Sequence, residues 1–102
     1  MVSWLPNSSM KKLVNPPIVE KTVRKHGVLG EYEVNVFLAS VEEIKKIFDG
    51  KYHNVLSFPL EFDNSYPDGI TRLGDIVVCD QEKDIEKLVE HGCLHLLGIH
   101  HE

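Results

Sequence analysis

The chain has 102 residues, 42% of them hydrophobic and 26% charged, with a formal net charge of −5, which is the size of one domain with one modest core and leaves no room for a second. The acidic balance argues against a simple electrostatic nucleic-acid binder, no run approaches the roughly 18 apolar residues that span a bilayer, and the start Met1-Val2-Ser3-Trp4-Leu5-Pro6 lacks the regions of a secretory signal. A soluble, cytoplasmic protein with no membrane partner is expected, organised as a single domain over residues 1–102.

Residues 1–16 carry no readable pattern. Pro16-Pro17 rules out regular structure across the pair, but Pro17 can open a helix through Ile18, Val19 and Val23 that ends near Gly27. From Glu33 to Ala39, Val34, Val36 and Leu38 alternate with Asn35 and Phe37, the period of a strand with one buried face. Ser40 with Glu43 three residues on makes a capping box, so a helix follows to about Asp49, closed by Gly50. Val55 to Leu60 reads as a strand whose Pro59 lacks an N–H and confines it to a sheet edge, with Leu56, Phe58, Leu60 and Phe62 on one face. Asn64 to Gly69 is loop by composition, and the unbroken apolar run in Gly74 to Cys79 predicts a more central strand. Asp80 is the expected cap of a last helix over Lys83 to Leu97, with Gly98 as the left-handed residue after it and Ile85, Val89, Gly92 and Leu96 as the stripe facing the sheet.

Charge is unevenly divided: residues 1–55 hold eight Lys/Arg against six Asp/Glu, residues 56–102 three against ten. A bound cation would offset part of the acidic half. Cysteine does not supply the ligands, because Cys79 and Cys93 form no CxxC pair; both thiols are expected reduced and buried. Histidine does: His91, His95 and His101 stand in an HxxxHxxxxxH spacing. On a helix His91 and His95 differ by only about 40°, so both imidazoles project from one side. Gly98 can turn the chain so that His101 returns to the same ion. Three protein ligands leave one position open, the mark of a catalytic rather than a structural zinc, which lowers the pKa of its water from about 15.7 to roughly 7. Gly92 follows His91 where a zinc protease of the HExxH type carries its glutamate, so proteolysis is disfavoured, and Glu90 reads as a solvated carboxylate.

The stretch His91-Gly92-Cys93-Leu94-His95-Leu96-Leu97-Gly98-Ile99-His100-His101 resembles the HGxLHLxGyDH hallmark of the YbeY family of bacterial rRNA maturation factors. Asn54-Val55-Leu56-Ser57-Phe58-Pro59 and Leu73-Gly74-Asp75-Ile76-Val77-Val78 are similar to two further family segments in the same order, so the resemblance spans about residues 33–102. It implies an α+β, metalloproteinase-like (zincin-like) fold: a small mixed sheet with an edge strand beside the metal-binding C-terminal helix. It also implies one Zn2+ per chain on His91, His95 and His101.

The implied activity is that of a zinc-dependent, single-strand-specific endoribonuclease, acting in 16S rRNA 3′ end maturation and ribosome quality control. Its partners would be precursor rRNA and the ribosomal small subunit, not DNA. His91, through the metal, and Ser57, lining the groove in the family manner, are the candidate catalytic residues; a serine on an edge strand is otherwise a neutral surface residue. Asp75 stands on the same footing as Ser57, its plain reading being the start of a strand at the Gly74-Asp75 turn; Arg24 and Arg72 have the chemistry for phosphate contacts, but nothing local supports that role and exposed arginine is the default. The nucleophile stays open between water and the RNA 2′-hydroxyl.

The chain departs from the family in two residues near the site. Residues 45–52 hold no arginine where the family carries a Tyr-Arg or Phe-Arg pair, leaving Lys46 or Lys51 as a point charge in its place, and His100 replaces an aspartate and rivals His101 as third ligand. A non-catalytic, metal-stabilised, ribosome-associated module is the alternative function.

Overall fold

A computed structural model describes residues 10–14, 16–48, 50–59 and 69–99. Strand β1 (Lys11–Leu13) is followed, past Pro16, by helix α1 (Pro17–Lys25), strand β2 (Tyr32–Ala39), helix α2 (Val41–Ile47), strand β3 (Val55–Pro59), strand β4 (Thr71–Cys79) and helix α3 (Ile85–Leu96). The strands form one sheet in the order β1-β2-β4-β3. β2 runs parallel to β4, whereas β1 and β3 pair antiparallel with β2 and β4. Among the described residues this is a mixed four-stranded sheet with three helices, compatible with the α+β class.

The local signals act where expected. Ser40 accepts a hydrogen bond from the Glu43 N–H while the Glu43 carboxylate accepts from the Ser40 N–H, closing the capping box of α2. Pro17 opens α1, whose Val19 and Val23 are buried. β3 is an edge strand with Pro59 as its last residue, and Leu56 and Phe58 share one face; Leu60, Phe62 and most of the expected loop at 64–69 lie outside the described residues.

One helix start differs. Asp80 lies in a turn in which the Glu82 N–H donates to the Cys79 carbonyl (3.2 Å), and the cap of α3 is Asp84, whose carboxylate accepts from the Lys87 N–H at 3.1 Å. The turn after β4 consumes the residues assigned from sequence to the first helical turn, so α3 begins at Ile85.

β4 has neighbours on both sides and helices on both faces, which is why its apolar run is unbroken. Leu73, Ile76 and Val78 join Val36 under α1 and α3, together with Val19, Val23, Val89, Cys93 and Leu96. Val77 and Cys79 point the other way, toward Ala39, Leu56, Ile44 and Ile47 beneath α2. Both cysteines are free and buried, and burial, reinforced by Glu90, pushes the Cys93 thiol up to about 12. No helix among the described residues is long and apolar enough to cross a membrane.

Candidate functional site

The helix α3 is laid against the sheet through Val89, Gly92, Cys93 and Leu96, all buried. Gly92 is the point of closest approach: a Cβ there would stand 2.7 Å from Ile76 Cγ2. Beside it, the Ser57 hydroxyl on β3 donates to the Gly92 carbonyl at 3.3 Å. These contacts turn the neighbouring faces of the helix outward, leaving His91 exposed and His95 half-buried next to the core stripe.

The two imidazoles meet. Their Nε2 atoms lie 2.8 Å apart, with ring centroids at 4.5 Å and planes inclined by 57°. At that distance one ring holds its proton on Nε2 and donates to the lone pair of the other. When both rings instead carry their protons on Nδ1, both Nε2 lone pairs are free to bind a shared cation. Nitrogens sharing a tetrahedral zinc at about 2.0–2.1 Å stand roughly 3.3 Å apart, so a rotation of a few tenths of an ångström converts the observed pair into two ligands. The pair thus fits the donor set of a zinc site. His101, expected as third ligand, and its rival His100 lie outside the described residues, and among the described residues no group of three or more His, Cys, Asp or Glu side chains converges as a metal site.

The other residues singled out from sequence have distinct surroundings. Ser57 is tied to the backbone of the histidine-bearing helix. Asp75 accepts from the Asn35 amide at 3.0 Å across the β2–β4 pair, and Arg72 approaches Glu33 at 3.8 Å. Arg24 is a structural cation: its Nη1 donates to the Val28 and Gly30 carbonyls at 2.9 and 2.6 Å, and its guanidinium lies 5.1 Å from the Tyr32 ring centre. His53 packs edge-on against Phe48. Lys46 is carried by α2, on the sheet face away from α3, so it is poorly placed to replace an arginine beside the histidines. The sequence places Gly92 on the apolar stripe facing the sheet, as found; the fold adds that Ile76 is the side chain pressed against it.

A methyl group at Gly92 tests that packing. Alanine gains about 1 kcal/mol of helix propensity over glycine, but overpacking against Ile76, a β-branched side chain with 0% exposure, costs about 1–3 kcal/mol. Gly92→Ala is therefore expected to lower stability by up to about 2 kcal/mol in urea unfolding. The loss should shrink in an Ile76→Leu background, which lacks the offending branch.

The chain is 34% identical over 102 aligned positions to the protein named endoribonuclease YbeY of Thermotoga maritima, covering 82% of this chain and 62% of that one. The endoribonuclease YbeY of Roseiflexus castenholzii is 31% identical over 105 positions, with 82% and 66% covered. The chain belongs to the YbeY family. A third relative, the endoribonuclease YbeY of Stutzerimonas stutzeri, is 36% identical over 90 positions, with 71% and 56% covered. No protein-family model matches the chain. The chain spans roughly three fifths of the length of the YbeY proteins it matches.

Proposed function

We propose that this chain is a zinc-dependent, single-strand-specific endoribonuclease of the YbeY kind, acting on precursor rRNA at the 3′ end of the small-subunit 16S rRNA and in ribosome quality control. The observation that carries the reading is the 2.8 Å approach of the His91 and His95 Nε2 atoms on one side of α3, in a chain similar to proteins named endoribonucleases. A mixed sheet with an edge strand beside that helix supports a zincin-like assignment of the fold. The same reading makes residues 1–102 one hydrolase domain, working in the cytoplasm with the ribosomal small subunit as partner.

In this proposal His91, His95 and His101 hold one zinc, which supplies Lewis-acid polarisation of a phosphodiester and a water of lowered pKa. His91 and His95 contribute by presenting Nε2 lone pairs on a rigid helix. Ser57 contributes by fixing that helix to the edge strand through the Gly92 carbonyl, so its role is positioning. The exposed Lys11, Lys12, Lys21 and Lys25 supply positive charge for a phosphate backbone away from the acidic half. Buried Gly92, pressed on Ile76, leaves no carboxylate at the position where a zinc protease carries its base.

The deciding experiment measures metal content and cleavage together. The purified chain is expected to hold one zinc and to cut single-stranded RNA but not casein, and a chelator should abolish cutting. One tightly held zinc whose removal unfolds the protein, with no RNA cleavage in the loaded form, would instead establish a metal-stabilised binding module.

A further inference from the structure

Of the Phe and Tyr side chains among the described residues, only Tyr52 is exposed, at 42%; Tyr32, Phe37, Phe48 and Phe58 are half-buried. An exposed side chain is ordinarily free to change rotamer, but Tyr52 is held from two directions. Its hydroxyl donates to Glu82 Oε1 at 2.6 Å, a charge-assisted bond to the turn that leads into α3. Its backbone is fixed as well: the Gly50 N–H donates to the Lys45 carbonyl (2.6 Å), the Lys51 N–H to the Phe48 carbonyl (3.0 Å) and the Cys79 N–H to the Asn54 carbonyl (3.0 Å), which fastens the segment on both sides of the ring. The ring is thus ordered by the fold, and a ligand that lies on it need not bear that cost.

Residues 45–54, the stretch that contains the ring, hold Lys45, Lys46 and Lys51 against one carboxylate, and all three lysines are exposed. On the turn that Tyr52 reaches, the Asp80 and Glu82 carboxylates accept from the Gln81 amide (3.1 Å) and from the Tyr52 hydroxyl. Position supplies the link to the histidines. β3 begins three residues after Tyr52, and its Ser57 touches α3 at Gly92. α3 begins at this same end of the sheet, and His91 lies seven residues past its Asp84 cap, roughly 10 Å along the axis. That is the length of about three stacked bases at 3.4 Å each.

We propose that Tyr52 is the stacking platform for an unpaired base of the RNA strand that reaches the histidine pair, with the lysines beside it on the neighbouring phosphates. Every base has a π-face that a fixed aromatic ring can cover, whatever the sequence. Only a single strand leaves that face free, because a duplex buries it against the next base pair. The platform therefore makes the site selective for single strands. The proposal rests on the RNA reading given above, but not on zinc.

The test measures fluorescence anisotropy of a labelled 2′-O-methyl octaadenylate, which offers no 2′-hydroxyl nucleophile, with the metal-free full chain. Tyr52→Ala is expected to weaken binding about fivefold to a hundredfold, the range of one base–aromatic stack, and Tyr52→Phe by less than about threefold, because the ring stays. Lys51→Gln should lower the slope of log affinity against log salt by about one. An abasic oligomer of the same length should bind more weakly than octaadenylate, and equally to the wild-type and Tyr52→Ala chains. The proposal is overturned if Tyr52→Phe loses as much as Tyr52→Ala, the result for a residue that only ties down Glu82, or if Tyr52→Ala binds octaadenylate as the wild type does. It also fails if the abasic oligomer binds the wild-type chain as tightly as octaadenylate, if an RNA duplex competes as well as the single strand, or if the metal-free chain binds none of them. The abasic and duplex comparisons need no variant, so they decide even where Tyr52→Ala unfolds. RNA cutting by zinc-loaded Tyr52→Ala with the KM of the wild type would overturn the platform and leave the nuclease standing; base-dependent binding that Tyr52→Ala loses, with no cutting by the loaded wild type, would keep the platform and remove the nuclease.

Discussion

His95→Ala is expected to remove stable zinc binding, weakening affinity by more than about 100-fold, and to reduce any RNA cleavage to background. Loss of a residue that only orients a ligand costs about 10–100-fold, and loss of a ligand itself costs more. The metal-free fold should barely notice. His95 is half-buried beside the core stripe, not in it, and alanine is a better helix former than histidine, so the unfolding free energy should change by about 1 kcal/mol or less. Competition with a chromophoric chelator reads the affinity, and circular dichroism melts of the apo-protein read the fold. His53→Ala is the matched control, because His53 packs on Phe48 and, among the described residues, meets no second histidine. Equal zinc affinity in the wild-type chain and His95→Ala would remove the histidine pair from the metal reading.

What could be read in the sequence was whatever is settled within a few residues. The capping box at Ser40 and Glu43, the opening of α1 by Pro17, the edge position of β3 imposed by Pro59 and the i, i+4 placement of His91 and His95 are all local constraints. The start of α3 is a local question with two answers, since Asp80 and Asp84 can each cap a helix. The choice falls to Asp84 because the turn closing on the Cys79 carbonyl comes first. Nothing local to Arg24 in the sequence distinguishes it from an ordinary exposed arginine; its partners, two carbonyls and one ring, are brought to it by the α1–β2 turn. Ser57 and Gly92 lie 35 residues apart, and only folding reveals that a hydroxyl on the edge strand holds the helix that carries the histidines. The third expected ligand, His101, falls outside the described residues, so the site rests on the pair.

The joint between that edge strand and the centre of the sheet is Gly74, and Gly74→Ala should be the most damaging single methyl in the described structure. Gly74 has φ +138°, a conformation that side chains rarely adopt, at the residue where the β2–β4 register shifts. An added Cβ would run into the Phe58 carbonyl oxygen and would sit 2.9 Å from Pro59 Cα and 3.1 Å from Leu96 Cδ2. Two of these three neighbours are backbone of β3, so relief requires moving the strand and not merely a side chain. Backbone strain of about 1–3 kcal/mol adds to overpacking of similar size, for a loss of roughly 2–6 kcal/mol, or at least about 8 °C in Tm for a domain of this length. Gly50→Ala separates the two causes, because Gly50 has φ +79° but nothing within 4 Å of its would-be Cβ, and only the conformational part, about 1 kcal/mol, is expected there. If Gly74→Ala proves no worse than Gly50→Ala in urea unfolding, β3 is free to shift against β4. The Ser57 contact to Gly92 would then be too loose to position the histidines, and zinc affinity in the folded Gly74→Ala protein would equal that of the wild type.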